Sequence, residues 1–189
     1  MENPNPLAQR MSRVTSSAIM ELLKKTAQGD YISFASGLPD PNLFPAEKIA
    51  LLTQEILTTD SKSALQYGAA DGYAPLKAWV AERLRQRGIA HATPEHILIT
   101  HGSQQALDLT ARLFLDDHAP VLIETPTYLA ALQTFDCYQA TYLPVPIDSE
   151  GMCVDEAIKT IDKTTPRLAF VLPNYQNPSG VTLSLERRQ

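Results

Sequence analysis

From residue 96 onward, short apolar runs alternate with segments in which apolar residues recur every three or four positions. Residues 96–100, 121–123, 141–143 and 168–172 read as strands, and 106–115, 127–135 and 155–161 as helices. The strands show no clean alternation of apolar and polar residues, and helical patterns fall between them. That pattern predicts an α/β fold with a mostly parallel sheet covered by helices on both faces. Upstream the spacing changes. Leu7, Met11, Val14, Ala18 and Leu22 predict a helix over residues 7–28 stopped by Gly29, followed by an extended piece at 31–35 and a turn at 37–41. Pro45 opens a helix carrying Ile49, Leu52 and Ile56, and a further helix at 75–87 puts Leu76, Trp79, Val80 and Leu84 on one face before Gly88.

This divides the chain into an N-terminal helical arm, residues 1–60, and a larger α/β part, 61–189, with no internal repeat. At the far end, Ser184 followed by Glu186 and Arg187 reads as a capped helix that starts and does not finish. The strand at 168–172 is left without a covering helix, so the expectation is a piece of a longer chain.

Composition narrows the function classes. The 189 residues are 44% hydrophobic and carry a net charge of −5, with no Lys/Arg run, so there is no electrostatic footprint for nucleic acid. No stretch has the apolar length of a secretory signal or a membrane span, and the expectation is a cytoplasmic protein. Cys137 and Cys153 stand outside any metal or CxxC pattern, and His91, His96, His101 and His118 lack ligand spacing. No metal site is expected.

Three loops could carry chemistry, each at the carboxyl end of a predicted strand, where open α/β sheets bind ligands. In His101-Gly102-Ser103-Gln104 the glycine permits close backbone approach, and the first-turn N–H groups favour an oxyanion. Alternatively, Ser103 merely caps the helix. Tyr128, in Thr125-Pro126-Thr127-Tyr128, can stack on a flat ring or pack on its own helix. Asn177, ahead of Pro178 and Gly180, offers an amide from a rigid loop or closes an Asx turn. Gln66 to Tyr73 form a loop with two glycines and two tyrosines.

The order of these segments is more specific than any one of them. SGLPDP at 36–41, LQYGAADGYAPLKAWVAERL at 65–84, ITHGSQQALDL at 99–109, IETPTY at 123–128 and LPNYQNPSG at 172–180 together resemble the aspartate-aminotransferase superfamily. The likeness is nearest to its aminoadipate, kynurenine and aromatic branch. It covers the chain from about residue 31 and implies a pyridoxal-5'-phosphate-dependent aminotransferase, of which these residues would form the arm and the first part of the cofactor-binding domain.

Carried over residue by residue, the resemblance puts Gly102, Ser103 and Gln104 on the cofactor phosphate, Tyr128 on the pyridine ring and Asn177 on its phenolic oxygen. Tyr67 would reach the phosphate in the neighbouring subunit of a homodimer. Gly37, with Asn177, would line the substrate side, the substrates being an amino acid and a 2-oxo acid. The family's Schiff-base lysine, its aspartate for the ring nitrogen and its carboxylate-gripping arginine fall beyond Gln189. No catalytic residue is therefore assigned, and the chain alone is expected to be inactive. The visible motifs hold the cofactor and do not choose which bond breaks, so the alternatives are a lyase or decarboxylase on this fold, or a ligand-sensing or dimerising truncated module without catalysis.

Overall fold

The computed structural model describes residues 6–14 and 39–189. Residues 6–14 belong with 101–189 in one compact unit, and 39–100 belong to a second.

In the first unit the sheet has the order β3-β2-β1-β4. Strand β1 (Pro120–Thr125) is central and runs parallel to both β2 (Thr141–Asp148) and β4 (Leu168–Phe170). β3 (Gly151–Met152) adds an antiparallel hairpin to β2. Helices α4 (Gly102–Phe114), α5 (Leu129–Asp136) and α6 (Val154–Lys163) alternate with the strands, in agreement with the α/β pattern.

The two-residue period of β1 separates two cores. Val121 and Ile123 pack with Ala111 and Leu115 at the end of α4 and with Ala131 and Phe135 of α5. Leu122 faces the other way, onto Val145, Met152 and Ala157 of α6. β1 is thus buried on both faces, as a continuous apolar run requires.

β2 is longer than the three residues the pattern predicts, and it contains Pro144 and Pro146. The Pro146 carbonyl accepts from Cys153 N–H at 2.9 Å, on the side away from β1. A residue's N and C=O face the same side of a strand, so the donor missing at Pro146 is not one that β1 needs. The β2–β3 turn is closed by Gly151 at φ 97°, where an added Cβ would lie 2.9 Å from Leu183 Cα.

The N-terminal expectation changes. Residues Gln9–Arg13 form a 3-10 turn and Val14 is extended at φ −81°, ψ 106°, so the helix does not run on continuously from residue 7. Arg13 donates to the Ala140 carbonyl at 3.1 Å, a tertiary bond that local periodicity cannot reveal. The rest of that segment, the extended piece at 31–35 and Gly37 lie outside the described residues.

In the second unit, α1 (Ala46–Thr59) and α3 (Ala74–Gln86) lie close to where the pattern predicts helices, and a short α2 (Ser61–Ala64), which the pattern does not predict, stands between them. The buried face of α3 is rotated, however, to Lys77 and Ala81, leaving Leu76 and Trp79 exposed. The Lys77 stem lies along that face, and its ammonium pairs with the half-exposed Asp71 carboxylate. The strand predicted at 96–100 is not assigned among the described residues: His96 closes a 3-10 turn, Ile97 is extended at φ −110°, ψ 126°, and the Ile99 N–H donates to the Asp71 carbonyl at 3.0 Å. An apolar run specifies extension and burial, but not a pairing partner.

The terminal segment is a 3-10 turn, Glu186–Arg188, and Ser184 does not cap it: its Oγ is buried without a hydrogen-bond partner among the described residues. The arginines hold this segment. Arg187 meets both Asp148 carboxylate oxygens at 2.7 and 2.8 Å, and Arg188 donates to the Pro173 carbonyl and Asn174 Oδ1, each at 2.7 Å. The Arg187 guanidinium, and then the Glu150 N–H, hold the Asp148 carboxyl well below the usual carboxylate range. A depressed native pKa contributes stability above the unfolded value that is lost as pH falls. The stability advantage of wild type over Asp148→Asn is therefore expected to be full at neutral pH and to shrink below about pH 4. Parallel denaturant titrations at several pH values check this, and a pH-independent difference would contradict it.

Candidate functional site

The carboxyl edge of the sheet is assembled by three connections. The register Ile123↔Phe170 places the ends of β1 and β4 side by side, so the 126–128 turn and the 171–181 loop leave the sheet as neighbours. Helix α5 begins only a short turn after β1 ends, which sets its N-terminus at that edge.

Helix α4 follows suit. Gln104 Nε2 donates to Thr134 Oγ1, and Tyr138 Oη donates to Asp108 Oδ1 at 2.8 Å. The second pair joins α4 to the turn just past the end of α5, and both pairs advance in the same direction, so α4 runs parallel to α5 and its N-terminus faces the same edge.

At the start of α4, Gly102 has φ 79°, with nothing within 4 Å of where a Cβ would stand. Only glycine adopts that conformation without strain, and the space beside it is open. His101 is the N-cap, and its backbone N–H donates to Gln105 Oε1 at 2.6 Å. Ser103 sits inside the first turn and is exposed, and no side chain caps the start of the helix. The capping alternative for Ser103 therefore fails, and its hydroxyl stands beside the positive end of a 13-residue helix. The Gln104 side chain is committed to Thr134, which leaves its main-chain N–H as the group it can offer a ligand.

Tyr128 is the N-cap of α5, half-buried, with its ring against the Phe135 core cluster. Asn177 is exposed on a turn closed by the bond from Gln176 N–H to the Val181 carbonyl, 2.8 Å, with Gly180 at φ 74°. Gly102, Ser103, Gln104, Tyr128 and Asn177 all belong to the 101–189 unit. Tyr67 belongs to the other unit and is fully exposed (100%), and Gly37 lies outside the described residues.

Two residues the motifs did not single out connect these loops. Gln176 is 2% exposed and Glu124 1% exposed. Gln176 Nε2 donates to the Pro126 carbonyl at 2.6 Å and to Glu124 Oε2 at 3.3 Å, while its Oε1 accepts from Ser179 N–H at 2.9 Å and Ser179 Oγ at 2.6 Å. Glu124 Oε2 also accepts from the Leu172 N–H at 3.1 Å. A glutamate in an otherwise apolar strand end was the available signal, since a buried carboxylate demands donors. Nearby, Thr127 Oγ1 is buried with no hydrogen-bond partner among the described residues. Among those residues no group of three or more His, Cys, Asp or Glu could hold a metal, and no helix is long and apolar enough to cross a membrane.

An open, mostly parallel sheet that gathers a helix N-terminus, an aromatic ring and an amide at its carboxyl edge is of the α/β class, in which ligands bind outside the carboxyl ends of the strands. Residues 29–188 match aminotransferase class I and II, and the chain belongs to that family. It is 43% identical over 177 residues to a 2-aminoadipate transaminase of Thermus thermophilus, covering 94% of this chain and 43% of the relative. It resembles the crystal structure of an α-aminoadipate aminotransferase from the same organism, complexed with N-(5'-phosphopyridoxyl)-L-leucine. There the TM-score is 0.85 and the identity 41%, over 96% of this chain and 44% of that one. A kynurenine aminotransferase of Pyrococcus horikoshii, in complex with PMP, gives a TM-score of 0.85 at 39% identity, over 96% of this chain and 46% of that one. The chain thus spans less than half the length of these relatives.

Proposed function

We propose that this chain supplies the phosphate- and ring-binding part of a pyridoxal-5'-phosphate-dependent aminotransferase acting between an amino acid and a 2-oxo acid. One observation carries the reading: the start of α4, with Gly102 at φ 79° and the exposed Ser103, opens on the sheet edge that carries Tyr128 and Asn177. The donor set fits that cofactor. Helix N–H groups and a hydroxyl suit a phosphate dianion, an aromatic ring suits a pyridine, and an amide suits a phenolic oxygen. The unpartnered Thr127 Oγ1 beside Tyr128 fits a polar ligand at the same edge.

When bound, pyridoxal phosphate supplies an electron sink for the charge left when a bond to the amino acid Cα is broken. The chain's own residues bind and orient. Ser103 Oγ and the first-turn N–H groups of α4, including that of Gln104, hold the phosphate. Tyr128 fixes the plane of the ring, and the Asn177 amide donates to the phenolic oxygen and so holds its proton balance. Gly37 and Asn177 border the substrate. In this reading residues 1–60 form the arm on the substrate side, and 61–189 begin the cofactor-binding domain of a cytoplasmic enzyme.

The protein carrying this chain would be a homodimer, with the Tyr67 hydroxyl reaching the phosphate bound by the other subunit. Sedimentation is expected to give a dimer, and the holoenzyme is expected to convert an amino acid to its 2-oxo acid only when a 2-oxo acceptor is present. Tyr67→Phe is expected to weaken cofactor binding by about 1.5–3 kcal/mol without moving the unfolding midpoint, since the lost bond is to a charged phosphate while a fully exposed hydroxyl adds little to the fold. A monomer that binds cofactor equally well with either residue would overturn the shared site. Absence of pyridoxal phosphate binding would overturn the whole reading.

A further inference from the structure

The buried pair Gln176 and Glu124 lies between the two loops that would grip the ring and apart from the helix that would grip the phosphate. All four hydrogen-bonding positions of the Gln176 amide are occupied: two donated bonds, to Pro126 and Glu124, and two accepted from Ser179. Pro126 is two residues before Tyr128, and Gln176 is the residue before Asn177, so one side chain ties the two ring-contact loops together. Glu124 anchors the tie to the sheet by also accepting from Leu172 N–H, where the Asn177 loop begins. The α4 start is held by a different bond, from Gln104 to Thr134. Both the ring loops and the phosphate cradle reach α5, but through different bonds: none of the hydrogen bonds of Gln176 or Glu124 involves a residue of α4.

We propose that Gln176, anchored by Glu124, is a positioning residue that sets Tyr128 and Asn177 against each other, so that ring recognition depends on it and phosphate recognition does not. The proposal rests on the cofactor reading above. Glutamate at position 176 would keep the shape but aim a carboxylate at Glu124 and at the Pro126 carbonyl, replacing two attractions with repulsion. Protonation at lower pH would restore one donor.

The test titrates the cofactor-free protein that carries this chain by calorimetry with two probes: pyridoxine 5'-phosphate, which has ring and phosphate but no aldehyde, and inorganic phosphate. For Gln176→Glu at neutral pH, affinity for pyridoxine phosphate is expected to fall about tenfold or more while phosphate affinity stays within about twofold. The loss is expected to diminish on acidification. The exchanged pair, Glu124→Gln with Gln176→Glu, again places an amide beside a carboxylate and is expected to recover part of the ring affinity. Should Gln176→Glu fail to fold, Ser179→Ala decides instead. It removes one donor at the exposed end of the network and is expected to lower ring affinity about threefold, with phosphate unchanged.

Equal losses for both probes, or no loss for either, would overturn the positioning role and leave the cofactor reading standing. A wild-type chain that binds phosphate but gains nothing from the ring would fail the cofactor reading itself, and the proposal with it.

Discussion

Phe135→Ala is expected to lower the stability of the 101–189 unit by about 3–5 kcal/mol, the range for emptying a fully buried aromatic site. Phe135 is 0% exposed and sits in the cluster formed by α4, α5 and β1. Its ring meets that of Phe170 edge-on, with centroids 5.9 Å apart and planes at 75°, a geometry that adds to the area it buries. The cavity would lie between α5 and the sheet, and α5 also carries Tyr128 at its N-cap and Thr134 as the anchor for Gln104. Local loosening should therefore reach the site as well as the core. Amide exchange at Val121, Leu122 and Ile123 is the sensitive readout, and acceleration by roughly two to four orders of magnitude corresponds to the expected loss. Phe135→Leu, which keeps much of the volume, should cost clearly less. If both substitutions left β1 exchange unchanged, Phe135 would not support the core around β1.

The elements that were legible in the sequence share a cause. β1, α5 and α6 are short, strongly patterned and followed closely by their neighbours in the chain, so local pattern and tertiary position agree. Disagreements arose where a distant group decides the outcome. Arg13 is engaged by the Ala140 carbonyl, 127 residues away, and the terminal turn is fastened by Arg187 to Asp148, 39 residues away. The apolar row Ile49, Leu52 and Ile56 of α1 was legible as a stripe, and all three are about half exposed. A stripe states that a face is apolar and nothing about what covers it.

The site shows the same division. Gly102, Ser103, Tyr128 and Asn177 could be picked out because each follows a predicted strand and has a distinctive side chain or turn. For the Gln176 and Glu124 pair only the glutamate in an apolar strand end gave a signal, because the two residues stand 52 apart and one acceptor is the backbone carbonyl of Pro126, which no motif records.

Ser103→Ala is expected to weaken binding of both inorganic phosphate and pyridoxine 5'-phosphate by about 1.5–3 kcal/mol, roughly tenfold to 150-fold, with no change in stability. The stability arm follows from exposure: Ser103 is at the surface, no side-chain cap depends on it, and alanine is the better helix former. The binding arm follows from charge. A hydroxyl donating to a dianion makes a shorter, stronger bond than a neutral pair does, and the start of α4 adds its own field at the same point. Gln104→Ala supplies the contrast. Its side chain is spent on Thr134 while its main-chain N–H is untouched by the substitution, so the loss should be smaller and should come with some loosening of α4 against α5. This pair also opposes the Gln176 variants: Ser103→Ala must lower both probes together, whereas Gln176→Glu must lower only the one with a ring. If Ser103→Ala left phosphate affinity intact while Gln104→Ala abolished it, the anion would be held by the glutamine amide, and the cradle at the start of α4 would have to be redrawn around it.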